Sequence, residues 1–332
     1  MHAFIARPAT ALLLLCGLAL PAWAGIGEWT RIGPATREVC TLAAAPSRPS
    51  TVYAGMFAGD LFQSLDGGRT WTLVHDGSRR DSRFLDVCVL AVDPTAPETV
   101  YAGSTILDLD LNPRNPAVLY AFLHDLRIFK TRNGGGNWSL LPRGRGLSFG
   151  VSGLGGQLAN PTCACAVWKS ADPVNPSTLY AIPGHRLHRS DDGGTTWVKT
   201  SDQKILEQDL AIDPLNPAIV YAGAAGGVAR SADRGQTWEV RGQGLPAASF
   251  VRQVEVDPTR TTTLYAAVSD FQLWPANSVY KSTDSGQTWV RLSQELREEM
   301  QIFDLVLDPL DPSILYIATL DYGVLKLTQE AP

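Results

Sequence analysis

The chain has 332 residues, 45% of them hydrophobic and 18% charged, with a formal net charge of -5. That apolar fraction supports a sizeable core and excludes a disordered chain or a coiled coil, while the acidic balance gives no electrostatic footprint for DNA or RNA. Its 30 glycines and 22 prolines follow no collagen-like period, which points to many short elements joined by tight turns.

In chain order, His2 and Arg7 precede the apolar run from Ala9 to Pro21, and Ala22-Trp23-Ala24 supplies small residues at the -3 and -1 positions. This pattern reads as an export signal, residues 1–24, cleaved after Ala24, so the product is expected to be secreted or periplasmic. Cys16 follows Leu15, where a lipid-attachment motif needs a small residue, so no lipid anchor is expected. The apolar run is too short to span a bilayer, and no later stretch qualifies. No membrane span is expected.

From residue 25 to 332 a single domain is built from two alternating signatures. The first is an apolar strand ending at Asp-Pro or a near equivalent, a turn, and a strand reading Val/Leu-Tyr-Ala. Its prolines are Pro46, Pro94, Pro113, Pro173, Pro214, Pro258 and Pro309, followed by Tyr53, Tyr101, Tyr120, Tyr180, Tyr221, Tyr265 and Tyr316. Leu90 and Val92, Leu210 and Ile212, and Leu305 and Leu307 stand four and two residues before their prolines, the period of a strand with one buried face. The proline cannot continue a central ladder, so it ends that strand.

The second signature is Ser/Thr-x-Asp/Asn-x-Gly-x-Thr/Asn-Trp. It occurs with Asp66 and Trp71, Asn133 and Trp138, Asp192 and Trp197, Asp233 and Trp238, and Asp284 and Trp289. The Asp accepts hydrogen bonds from its own turn, the fifth-position Gly takes a positive φ, and the Trp packs as the next strand begins. Each repeat is then four short antiparallel strands, a to d. The spacing of 41 residues from Tyr180 to Tyr221 is a propeller blade length. The fold class is all-β, a single β-propeller of four-stranded antiparallel blades. The last repeat stops after strand c at Gly323 to Leu327, and Trp29 to Ile32 matches strand d of other repeats. The mature start is therefore expected to complete the final blade and cover its edge. Tyr101 and Tyr120 are only 19 residues apart, so seven blades with a reduced second one are expected. Six blades with an inserted hairpin is the alternative.

The eight-residue boxes resemble the Asp-box, or BNR, repeat of sialidases, xyloglucan-cleaving glycoside hydrolases, the sortilin ectodomain and the photosystem II stability and assembly factor. The resemblance covers most of residues 28 to 327, and the layout is most similar to exported propellers of the assembly-factor type. It implies that the boxes are structural and lie on the outer rim, remote from the ligand face, so the repeats identify a fold and leave function open.

In a propeller the d-to-a and b-to-c loops share one face. Asp60, Asp86, Asp125, Asp209, Asp270, Asp304 and Asp321 fall in or beside those loops, and a glycosidase needs two facing carboxyls. Acidic residues at strand entries more often serve as turn acceptors. Arg31, the one match to a sialidase arginine, occupies an ordinary strand-d position. His75, His124, His185 and His188 are scattered, and no nucleophile triad, metal-ligand spacing or cofactor motif is present. The catalytic set is therefore empty. Three departures from the repeat stand out: the basic run Arg79, Arg80 and Arg83, the apolar insertion with Phe271 and Trp274 near Tyr322, and the Gly/Ser-rich stretch 143–162. With Arg252, the arginines and aromatics form the expected binding surface for a protein or peptide partner, or a glycan, with a monomer as the expected state. The alternative function is glycoside hydrolysis by an axial carboxylate pair. Cys40, Cys88, Cys163 and Cys165 are an even set for an oxidising compartment, with three possible pairings. Cys40 and Cys88 occupy equivalent places on adjacent blades, where a bridge would tie the two together.

Overall fold

The structure, a computed structural model, describes residues 27–34, 38–48, 50–75, 87–103, 106–123, 127–141, 168–170, 172, 174–182, 186–202, 209–269, 276–292, 296 and 300–329. The expected export signal lies outside them. The described elements are all strands. They run β1 (Thr30–Gly33), β2 (Val39–Ala44), β3 (Val52–Met56), β4 (Leu61–Ser64), β5 (Thr72–His75), β6 (Val89–Val92), β7 (Val100–Gly103), β8 (Ile106–Leu111) and β9 (Leu119–Leu123). Next come β10 (Ile128–Thr131), β11 (Trp138–Leu140), β12 (Trp168–Ser170), β13 (Leu179–Ala181), β14 (His188–Ser190), β15 (Val198–Lys199), β16 (Leu210–Ile212), β17 (Val220–Ala224) and β18 (Gly227–Ser231). The chain ends with β19 (Glu239–Arg241), β20 (Phe250–Val256), β21 (Leu264–Ser269), β22 (Ser278–Ser282), β23 (Val290–Arg291), β24 (Ile302–Leu307), β25 (Ile314–Thr319) and β26 (Gly323–Thr328).

These strands form a β-propeller with six four-stranded antiparallel blades among the described residues. Five are continuous runs, and the sixth has the order β1-β26-β25-β24, in which Thr30 faces Lys326 and Arg31 faces Leu325. The pair β6-β7 forms a separate two-stranded sheet between the first blade and the one beginning with β8. The expectation of seven blades is thus met only in part, because a separation of 19 positions from Tyr101 to Tyr120 leaves no room for two further strands and their turns. The innermost strands β2, β6, β8, β12, β16, β20 and β24 touch in that order, and β24 touches β2.

Each blade's second strand is the most buried. Tyr53, Tyr120, Tyr180, Tyr221, Tyr265 and Tyr316 are all at most 2% exposed, and each is preceded by a fully buried Leu or Val. The third strand places a cation across from five of these rings, as in Tyr120↔Lys130, Tyr221↔Arg230 and Tyr316↔Lys326. The Lys130 ammonium lies 4.7 Å from the Tyr120 ring centre. Such contacts let a charged side chain cover a buried aromatic face while its end reaches solvent.

The turns follow the chemistry of their sequence. Before the repeat proline, the Asp or Asn side-chain oxygen accepts from the N–H groups two and three residues on, as Asp213 Oδ1 does from Leu215 (2.9 Å) and Asn216 (3.0 Å). In the box at 231–238, Ser231 Oγ donates to Asp233 Oδ1 (2.7 Å) and accepts from Gly235 N (2.8 Å). Thr237 donates to both Asp233 oxygens, through N at 2.9 Å and Oγ1 at 2.6 Å. Trp238 Nε1 donates to Gly235 O (3.0 Å), and Gly235 has φ +87°. The hairpin at 131–138 is the exception. Asn133 supplies one acceptor oxygen where the others have two, and its Trp138 is 39% exposed against 3% for Trp197 and Trp289.

Candidate functional site at the channel

The site grows from a backbone irregularity that recurs on innermost strands. Pairing skips one residue between Val39 and Thr41, between Val251 and Gln253, and between Ile302 and Asp304. Such a bulge turns the extra residue and its successor toward the same side and disturbs the ladder. The extra residues are Cys40, Arg252 and Phe303, each six before its repeat proline, and Cys88 occupies the same place ahead of β6. All four line one cavity of about 430 Å³ among the innermost strands.

One residue further on stand Thr41, Asp108, Asp209, Gln253 and Asp304, which also line the cavity. Their side chains close a junction problem. An innermost strand is a sheet edge, so its N–H groups lack ladder partners on the channel side. Asp209 Oδ2 accepts from Val254 N of the following blade at 2.9 Å, and Gln253 Oε1 accepts from Leu305 N of its following blade at 2.8 Å. Asp304 Oδ2 accepts from Leu42 N of the first blade at 2.8 Å and from Thr41 Oγ1 at 3.1 Å. Three successive junctions therefore carry the same clasp, from the fifth residue before one proline to the fourth before the next. Asp304 Oδ1 also accepts from Gln253 Nε2 and its own neighbour Leu305 N, both at 2.9 Å. Burial pushes the Asp304 carboxyl up from its ordinary pKa, against the pull of these donors.

Asp110 and Glu255 add two more carboxyls to the wall, and Gln253 Nε2 donates to Glu255 Oε1 at 3.3 Å. Arg252 is the single cation among the described lining residues. Its Nε donates to Ser269 Oγ at 3.0 Å, and its guanidinium lies 5.5 Å from the Phe250 ring centre. Phe303 meets Phe57, from the turn after β3, edge to face at 5.0 Å. Among the described residues no group of three or more His, Cys, Asp or Glu could hold a metal ion.

Of the residues expected from sequence to bind, Arg252 is in the channel wall. Tyr322 lies in the β25–β26 turn, half-buried against the cluster containing Leu325 and Ile317. Arg79, Arg80, Arg83, Phe271 and Trp274 lie outside the described residues, as do Cys163, Cys165, Asp86, Asp125, Asp270, His124, His185 and the stretch 143–162. Asp209 and Asp304 are blade clasps. Asp321 is exposed in the turn holding Tyr322, and Asp60 stands beside β4. Arg31 is an exposed strand residue, and His75 sits on the exposed β5. His188 is 3% exposed with Nδ1 3.0 Å from Arg186 O, and burial lowers its pKa. Sequence reasoning passed over Thr41, Asp108, Gln253 and Phe303. Aligning the repeats on their prolines exposes them, because the fifth position back is mostly polar in strands that are otherwise apolar.

No family model and no curated protein matches the chain. Solved structures do. YCF48 from Cyanidioschyzon merolae aligns over 90% of this chain and 98% of its own at 15% identity, with a TM-score of 0.61. The extracellular domain of a two-component system from B. thetaiotaomicron aligns over 93% of this chain and 40% of its own at 10% identity, with a TM-score of 0.62. An ancestral GH74 enzyme aligns over 91% of this chain and 39% of its own at 16% identity, with a TM-score of 0.50. The chain thus spans well under half the length of the last two. At these identities the likeness is one of fold, and the fold is a propeller.

Proposed function

We propose that the chain is an exported, non-catalytic propeller of the Asp-box type that binds a protein or peptide segment at the channel mouth. The observation that carries this reading is the fate of the acidic residues. Asp209 and Asp304, two of the seven loop acids from which a glycosidase reading would draw a pair, each accept through Oδ2 from a backbone N–H group of a neighbouring blade. Beside the acids Asp108, Asp110 and Glu255, the mouth carries one guanidinium, the aromatic pair Phe57 and Phe303, and Tyr322 in the β25–β26 turn, groups suited to contact with a protein segment. Arg79, Arg80 and Arg83 stand five to nine residues before Cys88 in the sequence, and we assign them to the same binding role. Export follows from the leader read in residues 1–24, with a mature start at Gly25.

The test is charge reversal of Arg252 alone and of Arg79, Arg80 and Arg83 together, followed by affinity recovery of partners from the exported fraction. Each variant is expected to lose at least tenfold in partner recovery while staying folded by circular dichroism at the assay temperature. Unchanged recovery in both removes this surface. A second reading, glycoside hydrolysis, draws on Asp108, Asp110 and Glu255 lining the same cavity. Release of reducing ends from β-glucans that is abolished by Glu255→Gln would establish it in place of the first.

A further inference from the structure

We propose that Cys40 and Cys88 are a disulfide-forming pair that fastens the first blade to the two-stranded β6-β7 sheet at the channel wall. The inference is independent of any partner and rests on three observations. The two residues stand at the same repeat position on adjacent innermost strands, and the Cys88 thiol donates to Cys40 Sγ at 2.9 Å. The backbone around them is held by main-chain packing in addition to the Cys40 thiol. A Cβ on Gly55 would lie 2.4 Å from Val87 O, so only glycine lets the residue before Cys88 approach β3, and Val87 N donates to Met56 O at 3.0 Å. The register between the two cysteines is therefore set by main chain. Finally, β6-β7 is the element in most need of a fastener. It has two strands where the others have four, and its Tyr101 is half-buried where the equivalent tyrosines are at most 2% exposed.

The chemistry is two-electron exchange with a disulfide oxidant, either oxidised glutathione or a disulfide-bonded oxidoreductase. Both S–H bonds break, one Sγ–Sγ bond forms, two protons leave, and the oxidant's disulfide takes the electron pair and ends as two thiols. Before oxidation the Cys40 thiol donates to Val87 O at 2.8 Å. Both residues line the 430 Å³ cavity, which gives a small oxidant a way in.

The test uses the full chain, equilibrated with oxidised glutathione, denatured in an alkylating agent and digested without reductant. Mass spectrometry is expected to find the Cys40 peptide joined to the Cys88 peptide, lighter by two hydrogens than the reduced pair. Reduction is expected to lower the thermal midpoint by about 5 °C, a drop that Cys88→Ser abolishes. Recovery of Cys40 and Cys88 as separately alkylated thiols would overturn the proposal, and so would linkage of either to Cys163 or Cys165.

Discussion

Asp304→Asn asks whether the channel wall is built from acceptors aimed at fixed donors. The carboxylate of Asp304 takes four hydrogen bonds, two per oxygen, and three of the donors are nitrogens that have no acceptor capacity. In the variant one oxygen becomes an NH2 group. Whichever way the amide turns, it sets an N–H against Leu42 N or Leu305 N. Two accepted bonds are lost, each worth about 1.5–3 kcal/mol when the acceptor is charged. Cavity water re-satisfies part of this, and the amide escapes the burial cost that raises the carboxyl's pKa. The net loss expected from urea denaturation is about 2 kcal/mol, with an unchanged m-value. The pH dependence has a definite sign. A raised folded-state pKa gives stability that is complete below the unfolded value, about 3.9, and is lost as pH rises through the folded value. The wild type's advantage over Asp304→Asn should therefore be widest in acid and narrow as pH rises. A variant within about 0.5 kcal/mol of wild type throughout would show that the clasp carries no energy. A gap that widens with pH would show that the donors outweigh burial.

Two further outcomes follow from the blades themselves. Tyr221 and Tyr316 are buried with hydroxyls that have no hydrogen-bond partner among the described residues, so Tyr221→Phe and Tyr316→Phe should leave stability unchanged or raise it by up to about 1 kcal/mol. Tyr53→Phe should cost about 1 kcal/mol, because the Tyr53 hydroxyl donates to Pro97 O at 2.8 Å, and equal unfolding midpoints for all three would contradict this. In the outer hairpins, desolvation acts upward on Asp192 and Asp233, yet hydrogen bonds from Thr196 and Ser190, and from Thr237 and Ser231, hold each carboxyl down to about 2. Their contribution is present above the ordinary carboxylate range and lost as pH falls toward 2, which a carboxyl NMR titration reads directly. Titration of either near 4 would mean the hairpin bonds are not kept in solution.

The propeller was legible because its signals are local and repeated. The Asp-Pro turn, the Tyr on the second strand and the Trp-tipped box each depend on residues within eight positions of one another, and the hydrogen bonds at 231–238 are those the residue types imply. The two-stranded β6-β7 was legible from spacing alone. The clasps were not. Asp209 serves Val254, 45 residues away, and Asp304 serves Leu42, 262 residues away, so neither partner is visible in the local sequence. Read singly, an acidic residue at the start of a strand suggests a loop carboxylate open to a ligand. The bulge that turns it into the channel is a property of backbone pairing, which side-chain patterning does not report.

The clasps also restrict where recognition can reside. In a chain of repeats, positions that build the ring must keep one chemistry from blade to blade, and positions free of that duty can differ. The fifth residue before the proline supplies an acceptor at Asp209, Gln253 and Asp304 for the same kind of backbone donor. The residue just before it is Cys40 in the first blade, Cys88 in the two-stranded sheet, Arg252 in the blade of β20 and Phe303 in the blade of β24. Those four share a cavity but comprise three different residue types, so the fold does not require one chemistry at that position. Under the two proposals made above, Cys40 and Cys88 would serve to fasten the ring, and Arg252 and Phe303 would serve to contact a partner. Substitutions at Arg252 and Phe303 should accordingly alter binding without altering the ring, whereas the same changes at Gln253 or Asp304 should loosen the ring first.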